Sequence, residues 1–381
     1  MTGPIHIARI NAYSFRSPIT EPIKTSFGTM HDRPAVFVRV EDTDGAFGWG
    51  EVFANWPSAA AEHRVNLLAR DIGPLAFEYP LNHPSELFYA LTERTHIVAL
   101  QSGEWGPFRQ VIAGLDIAVW DLFARKSGKT LRRFMNNTAA DDVPAYASGI
   151  HINEANTLIE KARQIGFTNF KVKVGFNLEV DLTQLHRLFE EKSNDETIAA
   201  DANQAWDVED ALKFTSQTAT VPLAWLEEPI PADSSAYDWR KLNKACPYPL
   251  AGGENIVDFR GFEAAMKSAL LQVVQPDIIK WGGLTGSLAV GKKALTHGLL
   301  YCPHFLGGGI GLQASANLLS AVGGDGLLEV DVNPNPLRDG FGATSSCIGR
   351  QGWTCNKDPG LGITLLPEEL NTLRTHDAEV S

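Results

Sequence analysis

Cysteine is scarce in this chain: Cys246, Cys302, Cys347 and Cys355 are the four among 381 residues. None belongs to a Cys-x-x-Cys pair and no histidine stands at a zinc-site spacing, so neither a disulfide framework nor structural zinc is suggested. Idle thiols in a reducing compartment are expected. Basic charge is also short. Lys and Arg number 33 against 45 Asp and Glu, a formal net charge of -12, which argues against nucleic acid as a partner. A small anionic substrate stays open, because a local cluster of lysine, histidine and metal can reverse the sign inside a pocket. No stretch approaches the roughly 18 apolar residues of a membrane span. Met1 to Tyr13 alternates and lacks the apolar core of a signal peptide. The expectation is a cytoplasmic protein with no membrane partner. Walker A and Gly-x-Ser-x-Gly motifs are missing. Gly307-Gly308-Gly309-Ile310-Gly311 lacks the first-strand position and downstream acid of a dinucleotide fold, and reads as a loop near a substrate. His151-Ile152-Asn153 misses a metal-binding His-x-His.

The length is enough for two domains. Ile5–Phe15, Ala35–Val40 and Ala46–Val52 read as strands of an antiparallel meander. Helical patterns follow at Ala59–Leu75, Pro84–Thr92 and Phe108–Lys126, the last with a broad apolar face. Together they make an α+β unit. From about Val143 short apolar strands alternate with amphipathic helices: Ala145–Gly149, Phe170–Val174, Ile198–Asp201, Ala224–Glu228, Leu250–Glu254, Val273–Ile278, Leu299–Pro303 and Leu327–Val330. Eight such strands imply a parallel α/β barrel. The expected division is a cap over residues 1–130, completed by 341–381, and a barrel over 143–340.

Charge placement within these strands is the informative feature. Lys171 and Lys173 flank one residue and so point to the same side. Asp201, Glu227 and Glu254 close three successive strands, Asp277 lies on the next, His304 follows the seventh, and Glu329 is on the eighth. The steps from Asp201 are 26, 27, 23, 27 and 25 residues, each about one β/α unit. A barrel places such a series on one rim. A single Asp at a strand end more often caps a helix, and a lone His is more often a satisfied surface or core residue. The series differs, because burying this many charges is costly unless they compensate one another.

Asp201, Glu227 and Glu254 form an oxygen-only set suited to Mg²⁺ first and Mn²⁺ second. The ion would hold a substrate carboxylate while the adjacent C–H loses its proton. Lys173 and His304, on strands nearly opposite, would act as bases on the two faces of that carbon. Lys171 and the metal would lower the pKa of Lys173. His304 titrates near neutrality, Asp277 would orient it, and Glu329, if protonated, would donate to the developing oxyanion.

Lys171-Val-Lys173, Asp201-Ala-Asn203, Glu227-Glu228-Pro229, Gly253-Glu254-Asn255, Gln275-Pro276-Asp277 with Lys280-Trp-Gly-Gly, Pro303-His304 and Leu328-Glu329 together resemble the mandelate racemase subgroup of the enolase superfamily. The resemblance covers nearly the whole chain. It implies a (β/α)7β modified TIM barrel under an N-terminal α+β capping domain. It also implies Mg²⁺ on Asp201, Glu227 and Glu254, and Lys173 and His304–Asp277 as the two bases. Lys171 would lie at the substrate carboxylate, with Glu329 as the electrophilic acid and Asn203 as a metal-shell or substrate contact. Asp277 stands where the muconate-cycloisomerase subgroup has a lysine, so that subgroup fits less well.

The resemblance further implies a small carboxylate substrate, dehydration of an acid sugar ahead of racemisation of an α-hydroxy acid, and a homo-oligomer. A non-catalytic barrel or a metal hydrolase are the alternatives of another class. Cap loops around Pro18–Arg33 and Val52–Ala59 resemble the family's two lid segments. There Lys24 and Arg33 would meet a distal carboxylate, while Phe53 and Trp56 would form an apolar wall. Trp281 and Arg338-Asp339 are expected to border the pocket.

Overall fold

The computed structural model describes residues 3–349 and 352–381. Strands β1 (Ile7–Thr25), β2 (Gly28–Asp42) and β3 (Phe47–Val52) form the antiparallel meander. Asp42 sets the turn before β3, its Oδ1 accepting the amides of Asp44 and Ala46, an Asx turn. The expected loop at Pro18–Arg33 is instead an extension of both strands, joined by a two-residue turn at Ser26-Phe27. The pairing is irregular between Pro18 and Ile23, where Pro18 and Pro22 have no N–H to give the ladder.

Helix α1 (Ala60–Leu67) passes into a π turn, Leu68–Ile72, and a 3₁₀ turn, Gly73–Phe77. The single helix expected over Ala59–Leu75 is therefore broken. Pro74, which donates no amide bond, sits at the last junction. Helix α2 (Ser85–Ser102) ends at Gly103 in the left-handed region, and α3 (Trp105–Lys126) follows. The apolar face of α3, including Ile112, Leu115, Val119 and Leu122, is buried with Val36, Val38 and Val52 of the meander.

A short α4 (Leu131–Met135) and β4 (Asp142–Val143) lead into the repeating part. In order it runs β5 (Ala145–His151), α5 (Ala155–Gln164), β6 (Asn169–Lys173), α6 (Leu178–Glu191), β7 (Thr197–Asp201) and α7 (Val208–Gln217). Then come β8 (Leu226–Glu227), α8 (Ala236–Ala245), β9 (Leu250–Gly252), α9 (Phe259–Lys267), β10 (Val273–Val274) and α10 (Gly283–Thr296). The last are β11 (Leu300–Tyr301), α11 (Gly309–Val322) and β12 (Leu328–Asp331). All eight expected strands are present, with seven helices between them.

The strands are parallel in the order β11-β10-β9-β8-β7-β6-β5-β12. The sheet curls until its two edges approach, but among the described residues no ladder joins β11 to β12. Across that seam Leu327 donates its amide to the Cys302 sulfur at 3.3 Å. The expected modified barrel thus carries one seam, between β11 and β12. Tyr146, Ala199, Trp225, Ala251, Val273 and Cys302 fill its interior, each large side chain contributing about 1.5–3 kcal/mol by leaving water. The lower interior is therefore packed, and polar chemistry is confined to the rim at the strands' carboxyl ends.

After β12 come two short helices, α12 (Pro336–Asp339) and α13 (Thr344–Cys347). Strands β13 (Ile348–Gly349) and β14 (Gly352–Thr354) join β4. Finally β15 (Arg374–Val380) pairs with β1, Ile10 opposite Val380, to complete a four-stranded sheet, β15-β1-β2-β3. Among the described residues no helix is long and apolar enough to cross a membrane, and all four cysteines are free.

Candidate active site

The alternation of β6 sends Lys171 and Lys173 the same way, one deep and one at the rim. Lys171 is 1% exposed. Its Nζ lies 2.7 Å from Glu227 Oε1, 2.8 Å from Glu329 Oε1 and 4.0 Å from Asp201 Oδ2. Burial works to lower its pKa, but Glu227 and Glu329 outweigh this and hold it well above the usual lysine value. Lys173 Nζ donates to Asn203 Oδ1 at 2.5 Å and lies 3.3 Å from Asp201 Oδ2. Its contacts are thus an amide and a carboxylate of the next strand's end.

Asp201 and Glu227 end neighbouring strands as register partners. Glu254, two residues beyond β9, turns to His304, whose Nε2 lies 2.6 Å from Glu254 Oε2. His304 Nδ1 meets Asp277 Oδ2 at 2.7 Å, so the expected His–Asp dyad is formed. Burial alone would lower the His304 pKa; Glu254, Glu329 and Asp277 together raise it well above the ordinary histidine value. The expectation of titration near neutrality is corrected, because a carboxylate stands at each ring nitrogen.

Glu329 also departs from expectation. Burial would raise its pKa, but Lys171 and His304 bring it down to about 2. Ser148 Oγ and the Phe305 amide donate to its two oxygens at 2.5 and 3.2 Å. These contacts favour its ionised form, against the protonated form that a donor role would need.

Sequence reasoning passed over several members of this cluster. Glu228 is buried and turned by a left-handed backbone, φ 35°. Asn255 Nδ2 donates to both its oxygens at 3.0 Å and to Glu254 Oε1 at 2.9 Å. Burial, then repulsion from Glu254, pushes Glu228 up to about 8. Burial likewise pushes Glu227 up to about 7 against the pull of Lys171. Lys280 donates to Asn255 Oδ1 at 2.8 Å and lies 3.5 Å from Glu254. The Glu-Glu doublet and the Lys280-Trp-Gly-Gly run were the signals that could have found Glu228 and Lys280.

The three acids expected at one ion each face a cation: Asp201 faces Lys173, Glu227 faces Lys171, and Glu254 faces His304 and Lys280. Among the described residues, no three His, Cys, Asp or Glu side chains converge as ligands would. Buried carboxylates draw in whatever positive charge is within reach. Yet six acids (Asp201, Glu227, Glu228, Glu254, Asp277, Glu329) share four cationic groups (Lys171, Lys173, Lys280, His304). The all-oxygen donor set suits a hard divalent cation, whose charge would draw Glu227 and Glu228 back to their ionised forms.

Above the cluster lies a cavity of about 990 Å³ between barrel rim and cap. Lys173, Asn203, Glu254, Lys280 and His304 line its floor, and Ile23, Phe27, Met30, Phe53 and Trp56 its cap side. Trp56 packs edge-on against Phe27 at 5.5 Å. The Ser26 hydroxyl at the hairpin tip donates to the Asn203 carbonyl, so the hairpin touches the barrel. The side chain of Lys24 lies outside the described part of the structure. Arg33 reaches the cavity, but its Nη2 is paired with buried Asp331 at 2.7 Å, so its charge is already matched. Trp281 is not in the lining; it is buried and packs on Phe262 at 5.4 Å. It was expected to border the pocket, but its ring lies against Phe262 of α9 and Gly286 of α10. Arg338 is buried as well, donating to the carbonyls of Asp331 and Asn333.

Comparison with known proteins places the fold in a family. Residues 9–135 match the mandelate racemase/muconate lactonizing enzyme N-terminal domain and residues 154–369 the enolase C-terminal domain-like family. A solved mandelate racemase/muconate lactonizing enzyme from Bordetella bronchiseptica RB50 is 42% identical, TM-score 0.91, with 97% of this chain and 99% of that one covered. An enolase from Bradyrhizobium, solved with magnesium and mandelic acid, is 25% identical, TM-score 0.83, covering 99% and 100%. Arabinonate dehydratase of Saccharolobus solfataricus is 28% identical over 88% of this chain and 89% of its own. Other matched relatives include a cycloisomerase and a racemase.

Proposed function

Because the chain belongs to the mandelate racemase/muconate lactonizing enzyme family of the enolase superfamily, we propose that it abstracts the proton next to a substrate carboxylate and, in its main reaction, dehydrates an acid sugar or related hydroxy acid. The observation that carries this reading is that Lys173 and His304, from strands on two sides of the barrel mouth, open into one cavity. A carbon held between them is within reach of a proton-transfer group on either face. Asp201, Glu227 and Glu254 are the side chains that would hold Mg²⁺. Bound there, the ion would neutralise charge developing on the substrate carboxylate.

The remaining steps belong to the chain's own groups. Lys173 takes the α-proton onto Nζ, with Asn203 Oδ1 fixing its direction. Lys171, anchored between Glu227 and Glu329, offers fixed positive charge at the cavity floor. His304, oriented by Asp277, delivers a proton from Nε2 to a departing hydroxyl. Amides of Asn55, Asn153, Asn203, Asn255, Asn333 and Gln204 line the cavity, a surface able to hydrogen-bond a polyhydroxylated substrate. The apolar cap side covers it and excludes water. The dehydratase among the relatives supports this outcome. Racemisation is the second reading, favoured by the same two-sided placement.

The test is a panel of acid sugars and 2-hydroxy acids incubated with Mg²⁺ in D₂O and followed by proton NMR. A 2-keto-3-deoxy product marks dehydration, and deuterium entry with C2 inversion marks racemisation. Lys173→Ala should lower α-exchange from its face by roughly 10²- to 10⁴-fold, and chelation should abolish turnover until Mg²⁺ is restored. Undiminished exchange in Lys173→Ala would remove the assignment.

A further inference from the structure

Four helices of the barrel begin on their own side-chain caps: Asn177 before α6, Asp207 before α7, Ser235 before α8 and Asp258 before α9. Of the other three, α5 continues a 3₁₀ turn capped by His151, while α10 and α11 have no such cap. Each is preceded by glycine, Gly282 and Gly308, with no local side chain accepting its first amides. These two follow the strands that lead to Asp277 and His304. Their caps come from the other domain. Asp116 on α3 accepts the amide and hydroxyl of Thr285 at 2.9 and 2.6 Å. Glu51 on β3 accepts the amides of Gly308 at 2.5 Å and Gly311 at 2.7 Å. A carboxylate at a helix start meets both unpaired donors and the positive end of the helix.

The Gly307–Gly311 run has its explanation here. A Cβ at Gly307 would stand 2.6 Å from Glu51 Oε1, and at Gly311 3.1 Å from Glu51 Oε2. The glycines make room for an anion supplied by the protein itself. The segment between His304 and α11 is then tied at every step. Phe305 donates its amide to Glu329 at 3.2 Å, Leu306 accepts from Asn55 at 2.8 Å, Gly307 accepts from Asn335 at 3.0 Å, and Gly308 donates to Glu51. Two of these four ties come from the stretch Glu51–Asn55 of the cap. Phe53, in the same stretch, donates its amide to Ile279, two residues past Asp277. Glu51 is buried, and its carboxyl is raised to about 7 by burial, with the charge of Asp277 adding to the effect.

We infer that Glu51 is a positioning residue for proton transfer: by anchoring the start of α11 it fixes where the His304 imidazole stands relative to Asp277 and the cavity. The inference rests on the proposed role of His304 in proton transfer. It also gives the cap a part in the chemistry beyond covering the substrate. A misplacement of about 1 Å in such a group can cost on the order of 10²-fold in rate.

The experiment uses the full chain with Mg²⁺ and compares wild type, Glu51→Gln and Glu51→Asp. The first readout needs no substrate: histidine ¹⁵N–¹H spectra, with the His304 ring signals assigned by their loss in His304→Asn. Glu51→Gln should shift the His304 signals and weaken the downfield Nδ1 proton shared with Asp277, leaving the other nine histidines in place. Glu51→Asp keeps the charge but draws it back by one methylene, and should fall between. The second readout is α-exchange in D₂O on both C2 epimers of an acid that the wild type exchanges. Exchange of the epimer that depends on His304 should fall about tenfold or more, while the epimer that depends on Lys173 stays within about twofold. Unchanged His304 signals, or a parallel fall for both epimers, would overturn the inference and leave Glu51 a packing residue. If His304→Asn leaves both α-exchange and loss of water intact, the catalytic reading of His304 fails, and the ring signals still decide whether Glu51 positions it. Should Glu51→Gln not fold, the Asp variant carries the same comparison.

Discussion

Arg33 shows how a charged residue facing a cavity can be occupied by the protein. Its guanidinium lies 2.7 Å from Asp331, both side chains under a tenth exposed, and Arg338 stands 3.7 Å from the same carboxylate. Removing one partner of a buried pair leaves the other uncompensated, at a cost of about 3–5 kcal/mol; Arg338 should keep the cost near ~3 kcal/mol. Arg33→Met is therefore expected to lower the urea midpoint markedly while leaving the substrate KM nearly unchanged. A substrate clamp would do the reverse. The charge of Arg33 was readable, but its partner is 298 residues away, and no local pattern announces such a pairing. Asp201, Glu227, Asp277, His304 and Glu329 were readable for the opposite reason. Each interrupts or follows a short apolar strand, and the barrel converts that regular spacing into proximity. Their protonation was not readable, because it depends on which cation each carboxylate meets.

Among the elements, the strand series was legible because alternating short apolar runs and amphipathic helices admit few arrangements. What failed were features decided by contacts that periodicity does not reveal: the hairpin at Pro18–Arg33, held by mutual pairing, and the inward turn of Trp281 against Phe262. The starts of α10 and α11 were hidden by distance instead, their partners lying 169 and 257 residues away. Their caps, Asp116 and Glu51, cannot be seen near the helices in sequence. Burial pushes the Asp116 carboxyl from an ordinary value of 3.8 up to about 7, despite the bonds from Thr285. Between these values the folded protein holds a proton that the unfolded chain gives up. The associated stability is complete below about pH 4 and is lost as pH rises through 7. Asp116→Asn cannot titrate and should flatten that decline, by at most about 4 kcal/mol. Urea unfolding of both proteins from pH 4 to 8 checks the sign: a wild type gaining stability relative to the variant over this range would contradict it.

On the scale of the whole molecule, the barrel is enclosed in sequence by the cap, whose sheet is made from both ends of the chain. Strand β15 covers the edge of β1, with Ser14 bonded to Thr375 at 2.8 Å and Glu62 shared by Arg16 and Thr375. Ala378 and Val380 pack against the cap core. Deletion of residues 374–381 should bare the β1 edge and favour association through it. Light scattering should show concentration-dependent aggregation and the exchange assay a loss of turnover, although no floor residue has been touched. A monodisperse, fully active truncate would show that β15 is dispensable. The register that sets Ile10 beside Val380 also has a mechanical meaning. Tension applied between these two points would peel β15 from β1 one bond at a time, so the cap sheet would yield before the parallel strands carried any load.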